Sequence, residues 1–481
     1  MAFELAGARL LMPDFGMGID VWAAVIAATL GLLAIGYGLG GRLADARPSV
    51  LTLAVVLLAA GASLVAVRLV GRSIPRLFGG ASLVGGAWCS AGLLLAGPLL
   101  LLGAVPPILA RLLIRATEQA GSVVGGLMAA GTLGGVLGTV PTALVLIPRI
   151  GVCGTLLILA CGTAVMAVVA LAGARSWKAA GGAALAAAVF GGAGWQPAPT
   201  SNPVGPMQVL EQVEGLYGHL EVLEYHGTRA IVCNGIFQTA SPGAEFGGMR
   251  GRLIRGRDYV ELIPYFRPQT RSALLVGLAG GLHAEALACY GIQVHAVEIE
   301  PATVALAAKY FGLSAEVTVA DGRAFLARDR RRFDAIVLDT FLGGTVPEHL
   351  YTQEAFEQMA GRLNPGGVLA VHLIGRPRHQ ATRAVARTLQ AVFPHTAAVR
   401  SGLDDELQHL YLFASRHPVS LKPEERLELD SYGFTGDEFF RVETDGAPLL
   451  SDDRSCLGLL SRDLVAEHRQ HSYEQRRRPS W

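Results

Sequence analysis

From Gly121 to Ala174 the chain carries a single charged residue, Arg149. A run of this kind is suited to lipid, because about 20 apolar residues in a helix cross a hydrocarbon core of roughly 30 Å. It divides into two candidate spans, Ser122–Ile147 and Val152–Ala174, and three more precede it: Val21–Gly40, Val50–Val70 and Ala81–Gly103. Ala179–Trp195, rich in Ala and Gly, is a sixth and weaker segment. Charged residues make up 16% of the 481, against the roughly 25% usual in soluble proteins, and the deficit ends at Met207. Two solvents are implied, lipid for residues 1–195 and water for the remainder. The N-terminus, with Glu4 and Arg9, does not read as a cleaved signal peptide.

Small residues crowd the spans, among them Gly31, Gly36, Gly38 and Gly40 in the first and Gly125, Gly126, Gly131, Gly134, Gly135 and Gly138 in the fourth. Small faces let helices approach closely in lipid, and this reading is favoured over a transport path, which needs ionisable groups at depth. Arg68 lies near a span end, where it is expected to snorkel. Pro98, Pro106, Pro107 and Pro141 are expected to kink their helices. The loops holding Arg42, Arg47, Arg111, Arg115, Arg175 and Lys178 read as cytoplasmic by the positive-inside rule, so five spans leave the C-terminal half inside and six leave it outside.

A net charge of +1 gives no electrostatic case for nucleic acid. The basic tail, Arg476, Arg477 and Arg478 with His468 and His471, reads as a solvated, frayed terminus, with lipid headgroups as the sharper alternative. The six cysteines form no Cys-x-x-Cys pair and suggest reduced thiols, without a disulfide framework or a metal site.

Gln196–Pro206 (QPAPTSNPVGP) reads as a linker. His219–Tyr225 and Arg229–Cys233 alternate about the polar turn 226–228, a hairpin of a small β-rich subdomain. From Ser272 the pattern becomes β/α, with strands at Ala273–Val276, Val294–Ile299, Glu316–Val319, Asp334–Leu338, Val368–Leu373 and Leu407–Phe413. Helices fall between them at Pro301–Phe311, Gln353–Leu363 and Ala381–Phe393. Alternation of this kind predicts a doubly wound parallel sheet.

Such sheets bind ligands at the carboxyl ends of their strands. Gly277, Gly280 and Gly281 follow the first strand, where bare backbone admits a ligand. Glu298 ends the second, about 20 residues on, the spacing at which a carboxylate reaches ribose hydroxyls. Asp321-Gly322 ends the third strand and Asp339 the fourth. Each has a plain explanation alone, as a turn, a solvated strand end or a helix cap; three acids at three strand ends together point to a nucleoside-type ligand. There is no P-loop, and Ala279 stands at the second glycine of G-x-G-x-x-G, which moves the ligand from NAD toward an adenosyl sulfonium compound.

Val297-Glu298-Ile299-Glu300, Asp321-Gly322-Arg323, Asp334-Ala335-Ile336-Val337-Leu338-Asp339, Leu350-Tyr351-Thr352 and Leu363-Asn364-Pro365-Gly366-Gly367 resemble the spermidine synthase (polyamine aminopropyltransferase) family. Tyr217, Asn234-Gly235 and Gln238 look like its N-terminal β-domain, so the likeness covers about residues 208–415. Arg9-Leu10-Leu11, Phe15-Gly16 and Gly40-Gly41-Arg42-Leu43-Ala44-Asp45 are similar to membrane-fused members, which often begin with one more helix; this chain is expected to start near that helix's end. The resemblance implies a multi-span α-helical membrane domain of five to six spans (1–195), a linker (196–206), a β-rich subdomain (207–270), a Rossmann-like domain of the class I methyltransferase type (271–420) and a C-terminal extension (421–481). It further implies that Glu298 holds the ribose of decarboxylated S-adenosylmethionine, and that Asp321 accepts from the adenine amino group with Pro347 packed nearby. Gly277, Gly280, Gly281 and Gly322 would complete that side. Asp339 would take the proton of the attacking amine, with Tyr217 and Gln238 on the substrate side and no metal.

The departures fall on the amine side. Gly280 stands where the family has an aspartate, Leu342 replaces a second, Gly248-Met249 replaces a Tyr-His pair, and Gly218 replaces a Gln. Glu221, Glu224, Glu245, Asp258 and Glu261 are candidates to offset a polyamine's charge. The reading is thus an aminopropyltransferase acting on a putrescine-like amine. The alternatives are a methyltransferase using S-adenosylmethionine and a non-catalytic nucleoside sensor. The expected setting is multi-pass in the cell (inner) membrane, with the catalytic domain cytoplasmic, partnered by lipid and a small amine, not by nucleic acid, and open to homodimerisation.

Overall fold

The structure is a computed structural model and describes residues 1–15, 19–78, 83–193, 206–241, 251–340 and 346–479. The chain divides into two compact units, Met1–Asn202 and Pro203–Trp481, a boundary within the expected linker. Among the positions singled out above, Gly16, Trp195, Glu245, Gly248, Met249 and Leu342 lie outside the described residues, as does the linker up to residue 205.

The first unit is helical. Helices span Ala2–Phe15, Ile19–Ala46, Val50–Val70, Leu83–Leu113, Ala120–Pro141, Ile147–Gly173 and Trp177–Ala193. Ser49 caps the third of these, its hydroxyl accepting from the Thr52 amide at 3.1 Å. Among the described residues four helical runs are long and apolar enough to cross a membrane: Val21–Ala46, Val50–Val70, Gly85–Leu113 and Thr117–Gly173. The fourth and fifth expected spans both lie in the 57-residue run Thr117–Gly173, which is too long to cross a core of about 30 Å only once. That run continues past Pro141 through a π-helical turn, Thr142–Leu146, and breaks only at Gly151, whose φ of 70° and ψ of 176° are not helical. The sixth candidate is a 17-residue helix.

Small residues act as expected in one pair of helices. A Cβ on Gly36 would fall 2.6 Å from the Leu100 carbonyl oxygen, and one on Gly40 would fall 2.4 Å from the Ala104 Cα, so Ile19–Ala46 and Leu83–Leu113 touch through their backbones. Gly125, Gly126, Gly131, Gly134 and Gly138 instead have nothing within 4 Å of an added Cβ. Arg68 is buried, not snorkelling, because its face of the Val50–Val70 helix is turned inward with Leu64 and Val67.

The second unit opens with an antiparallel sheet of β1 (Gln208–Glu214), β2 (His219–Tyr225), β3 (Thr228–Cys233) and β4 (Ile236–Ser241), in sequential order. The β2–β3 turn places His226 and Gly227 at positive φ, 49° and 80°, the geometry that tight hairpins require. The larger sheet holds β5 (Ser272–Val276), β6 (Gln293–Glu298), β7 (Glu316–Val319), β8 (Phe333–Leu338), β9 (Leu363–Gly375), β10 (His395–Arg400), β11 (Gln408–Ser415) and β12 (Phe439–Phe440), ordered β12-β10-β11-β9-β8-β5-β6-β7. The parallel sheet expected forms its centre, and its margin beyond β9 is antiparallel. Strands β9, β8, β5, β6 and β7 are parallel, but β11 runs antiparallel to β9 and β10 to β11. No helix intervenes between β10 and β11, so the chain can only turn back on itself. Order reverses at β5 between β8 and β6, which puts the switch point at the glycine turn. Apolar residues of the central strands, Leu274, Val276, Ile336, Leu338, Leu369 and Val371, build the core on one face of the sheet.

The C-terminal tail is not frayed. Arg462–Arg477 is a helix, and Arg476 pairs at 2.6 Å with Glu221 of β2, both side chains largely shielded from solvent. Arg469 donates to the Asn234 carbonyl at 3.4 Å. Arg469 and Arg476 are fixed because they meet acceptors on the small sheet, whereas Arg477 and Arg478 stay exposed.

Candidate active site

A cavity of about 270 Å³ opens at the carboxyl ends of β5, β6, β7 and β8. Its walls include Tyr217, Gln238, Gly277, Glu298, Asp321, Gly322, Asp339 and Pro347, eight residues singled out from sequence. Gly280 and Gly281 are not among the lining residues. The Gly280 amide donates to Thr239 Oγ1 at 3.0 Å, and Gly281, left-handed at φ 82°, turns the chain into the Leu282–Ala288 helix.

The strand ends are held in register by the glycine turn. A Cβ on Gly277, at φ 94°, would fall 1.9 Å from the Asp339 carbonyl oxygen, so only glycine lets the ends of β5 and β8 meet. Glu298 braces that turn from β6. Its carboxylate accepts from the Leu278 amide at 3.0 Å and from the Glu300 amide at 2.9 Å. Burial raises its pKa against the pull of those amides. A carboxylate has about four lone-pair positions, more than these amides occupy, which leaves acceptor capacity for a hydroxyl of a ligand. Glu300 caps the Pro301–Phe311 helix and accepts from the Tyr217 amide at 2.7 Å, which ties the β-subdomain loop to the cavity.

Asp321 caps the Gly322–Arg328 helix, accepting from the Ala324 amide at 2.9 Å, while its other oxygen faces His349 Nε2 at 3.0 Å. Burial opposes its ionisation, but these bonds outweigh it and hold the carboxyl below its usual range.

Asp339 has surroundings that its sequence neighbours do not announce. Its Oδ1 lies 2.7 Å from His372 Nδ1 and its Oδ2 lies 3.0 Å from His283 Nδ1. His283 Nε2 reaches Asp258 at 2.8 Å, and Asp258 also accepts from the Tyr411 hydroxyl. His372 Nε2 reaches His409 Nδ1 at 2.8 Å. Burial disfavours the Asp339 carboxylate, yet His372 and His283 hold its pKa far below the ordinary value. His283 is likewise held well above its own, burial being outweighed by Asp258 and Asp339. The one sequence trace of this cluster is His372, a polar residue inside the apolar run of β9.

Among the described residues, the carboxylates suggested for a polyamine are engaged elsewhere. Glu221 is paired with Arg476, and Glu224 with Arg229 at 3.0 Å. Glu261 accepts from the amides of Leu253 and Ile254 and is pushed by burial up to about 7. Asp258 is bound to His283, behind Asp339.

The family described as "Methyltransferase domain" matches residues 274–371. The chain is 29% identical over 186 residues to a probable polyamine aminopropyl transferase of Bifidobacterium longum, covering 37% of this chain and 41% of that protein. It is 33% identical over 143 residues to an N-terminal histidine N-methyltransferase of Emericella nidulans, covering 28% and 26%. The chain thus spans less than half the length of these two relatives. The structure of a probable spermidine synthase from Corynebacterium glutamicum superimposes with a TM-score of 0.44 at 16% identity, over 52% of this chain and 98% of that one.

Proposed function

We propose that this chain, whose soluble half is spermidine synthase-like, transfers an aminopropyl group from decarboxylated S-adenosylmethionine to a small amine. The observation that supports this most is the gathering of Glu298, Asp321 and Asp339 on one cavity at the ends of β6, β7 and β8. Glu298 would orient the ribose through its remaining acceptor capacity, and Asp321 would accept from the adenine amino group. The attacking nitrogen must lose its proton to expose a lone pair, and the carboxylate of Asp339 is the acceptor within the cavity. The lone pair then displaces the sulfonium sulfur from carbon, leaving methylthioadenosine. Holding the two reactants together supplies much of the acceleration. Tyr217 and Gln238, on the β-subdomain side, would border the amine.

A second reading, methyl transfer from S-adenosylmethionine, is favoured by the match over residues 274–371 and by the engagement of every described carboxylate suggested for a polyamine. In either reading the four apolar runs suit a multi-pass protein of the cell membrane, and we assign the catalytic unit to the cytoplasmic side.

The test is calorimetry of the full chain in detergent with decarboxylated S-adenosylmethionine, S-adenosylmethionine and methylthioadenosine, followed by mass analysis of products from a panel of amines. Aminopropylated product and a preference for the decarboxylated compound are expected. Preference for S-adenosylmethionine with a methylated product would overturn the proposal. Turnover that survives Asp339→Asn would remove Asp339 as the proton acceptor.

A further inference from the structure

We infer that the C-terminal extension completes the adenosyl end of the cavity, with Asp452 acting through Arg323 and His349 as a positioning residue for Asp321. The inference rests on the adenosyl reading of that cavity, which aminopropyl and methyl transfer share.

Asp321 and Arg323 stand two residues apart, and their side chains serve different places. Asp321 lines the cavity, whereas the Arg323 guanidinium reaches the turn Glu348–Leu350 and the extension. Arg323 Nη1 donates to the His349 carbonyl at 2.6 Å and to Asp452 Oδ1 at 3.2 Å, and Nη2 donates to Asp452 Oδ2 at 2.8 Å. A fork of this kind on a carboxylate fixes direction as well as distance. The Thr352 hydroxyl adds a bond to Asp452 Oδ1 at 2.7 Å. With its carbonyl held in this way, His349 brings its ring to Asp321, Nε2 to Oδ2 at 3.0 Å, while Asp321 Oδ1 accepts from the Ala324 amide. A carboxylate held at both oxygens has its plane set, so its remaining acceptor capacity points at one place in the cavity. Asp452, Arg323, His349 and Asp321 thus form one line from the extension to the carboxylate assigned to adenine.

Other contacts back the same wall. Pro347, His349 and Leu350 line the cavity. Behind them the Ser455 hydroxyl donates to Glu348, the Gln353 amide donates to the Leu450 carbonyl at 2.9 Å, and the Asp452 amide donates to Glu354 at 3.0 Å. A Cβ on Gly458 would fall 2.4 Å from Glu348 Oε1, so the extension passes against the turn with no room for a side chain between them. Leu450 and Leu457 share a buried cluster with Leu350 and Tyr351. Residues 450–458 lie beyond 274–371, the part that matches a methyltransferase domain, so this backing comes from outside the matched domain.

The effect is local. The Asp452 side chain is 45% exposed, and an exposed ion pair adds little to global stability. Its bonds converge on Arg323, Thr352 and the turn, so their loss slackens the wall and not the fold. Asp321 as an acceptor favours a purine that carries an amino group, and it sets acceptor against acceptor where a carbonyl stands in that place. Slack at Asp321 therefore lowers the discrimination between two such purines, beyond any loss of affinity.

The test is calorimetry of the full chain in detergent with methylthioadenosine and its deaminated counterpart, methylthioinosine. The wild type should bind the amino compound about 10-fold more tightly or better, the scale of one unpaired acceptor. Asp452→Asn should weaken the amino compound by about 5-fold and the deaminated one far less. Asp452→Glu keeps a carboxylate and should recover part of the loss. His349→Ala should give a loss of the same kind, to which Asp452→Asn adds little. Equal weakening of both compounds, no weakening, or additive losses overturns the inference. A wild type without preference instead removes Asp321 from the adenine, and a wild type that binds neither compound removes the adenosyl reading itself. In both of those cases hydrogen exchange decides the brace, read at the Leu350 and Tyr351 amides, which bond to the Pro347 and Glu348 carbonyls. Faster exchange in Asp452→Asn supports it, and an unchanged rate overturns it.

Discussion

Gly280 lies against Thr239: its amide donates to Thr239 Oγ1 at 3.0 Å, and a Cβ there would fall 2.6 Å from Thr239 Cγ2. The position where the resembling family carries an aspartate therefore has no room for one. Gly280→Asp is expected to cost about 1–3 kcal/mol, as overpacking does. Adding Thr239→Ser, which removes the methyl and keeps the hydroxyl, should recover part of that in chemical denaturation. An aspartate accepted without loss would show that this wall yields.

Glu298→Gln should weaken the adenosyl ligand and loosen the glycine turn together. A glutamine amide facing the Leu278 or Glu300 N–H sets donor against donor, at about 1–3 kcal/mol for the group left unpaired. Calorimetry should show about 10-fold weaker binding or more, by the conversion of about 1.4 kcal/mol per decade. Equal binding by the variant would move the ribose contact elsewhere.

His219 sits between Glu214 at 3.0 Å and Glu221 at 3.6 Å. Burial lowers its pKa, but the two carboxylates prevail and carry it up to about 9, above the unfolded value of about 6.5. A raised folded pKa stabilises fully below the unfolded value and ceases to do so as pH rises through the folded one. Thermal denaturation of the soluble unit within the full chain should thus decline between about pH 6.5 and 9, by a few kcal/mol at most, roughly 3. His219→Gln should flatten that decline, and an unchanged slope would assign it to other groups.

Arg476→Met leaves Glu221 buried without its guanidinium partner. Such a loss costs about 3–5 kcal/mol, here toward the lower end because Gln212 also donates to Glu221 at 2.8 Å. In a double-mutant cycle with Glu221→Gln the two losses should be far from additive. Additivity would mean that the pair is solvated.

Local signals carried much of this fold. The Pro301–Phe311 helix and β7 coincide with their sequence expectation, since a proline start and a short polar-bounded run suffice to define them. Glu298, Asp321 and Asp339 could be gathered on paper because strand ends in a parallel sheet share one edge. The antiparallel margin could not, since β10 carries no marker of direction. The histidine cluster was hidden for a different reason. His372 reads as a lone polar residue in an apolar strand, and its partners Asp339 and His283 lie on other elements. The terminal helix was missed because its charges suggested water, while their acceptors lie more than 200 positions upstream.

That pairing has a kinetic meaning. Arg476 and Glu221 are separated by 255 positions, so β2 cannot reach its final electrostatic environment until nearly the whole soluble unit has been synthesised. Contacts of such long range slow folding and make it concerted. The small sheet is then not an autonomous module that waits, finished, for its neighbour. It should protect its amides against hydrogen exchange only when the Rossmann-like sheet does, and lose that protection in the same cooperative step.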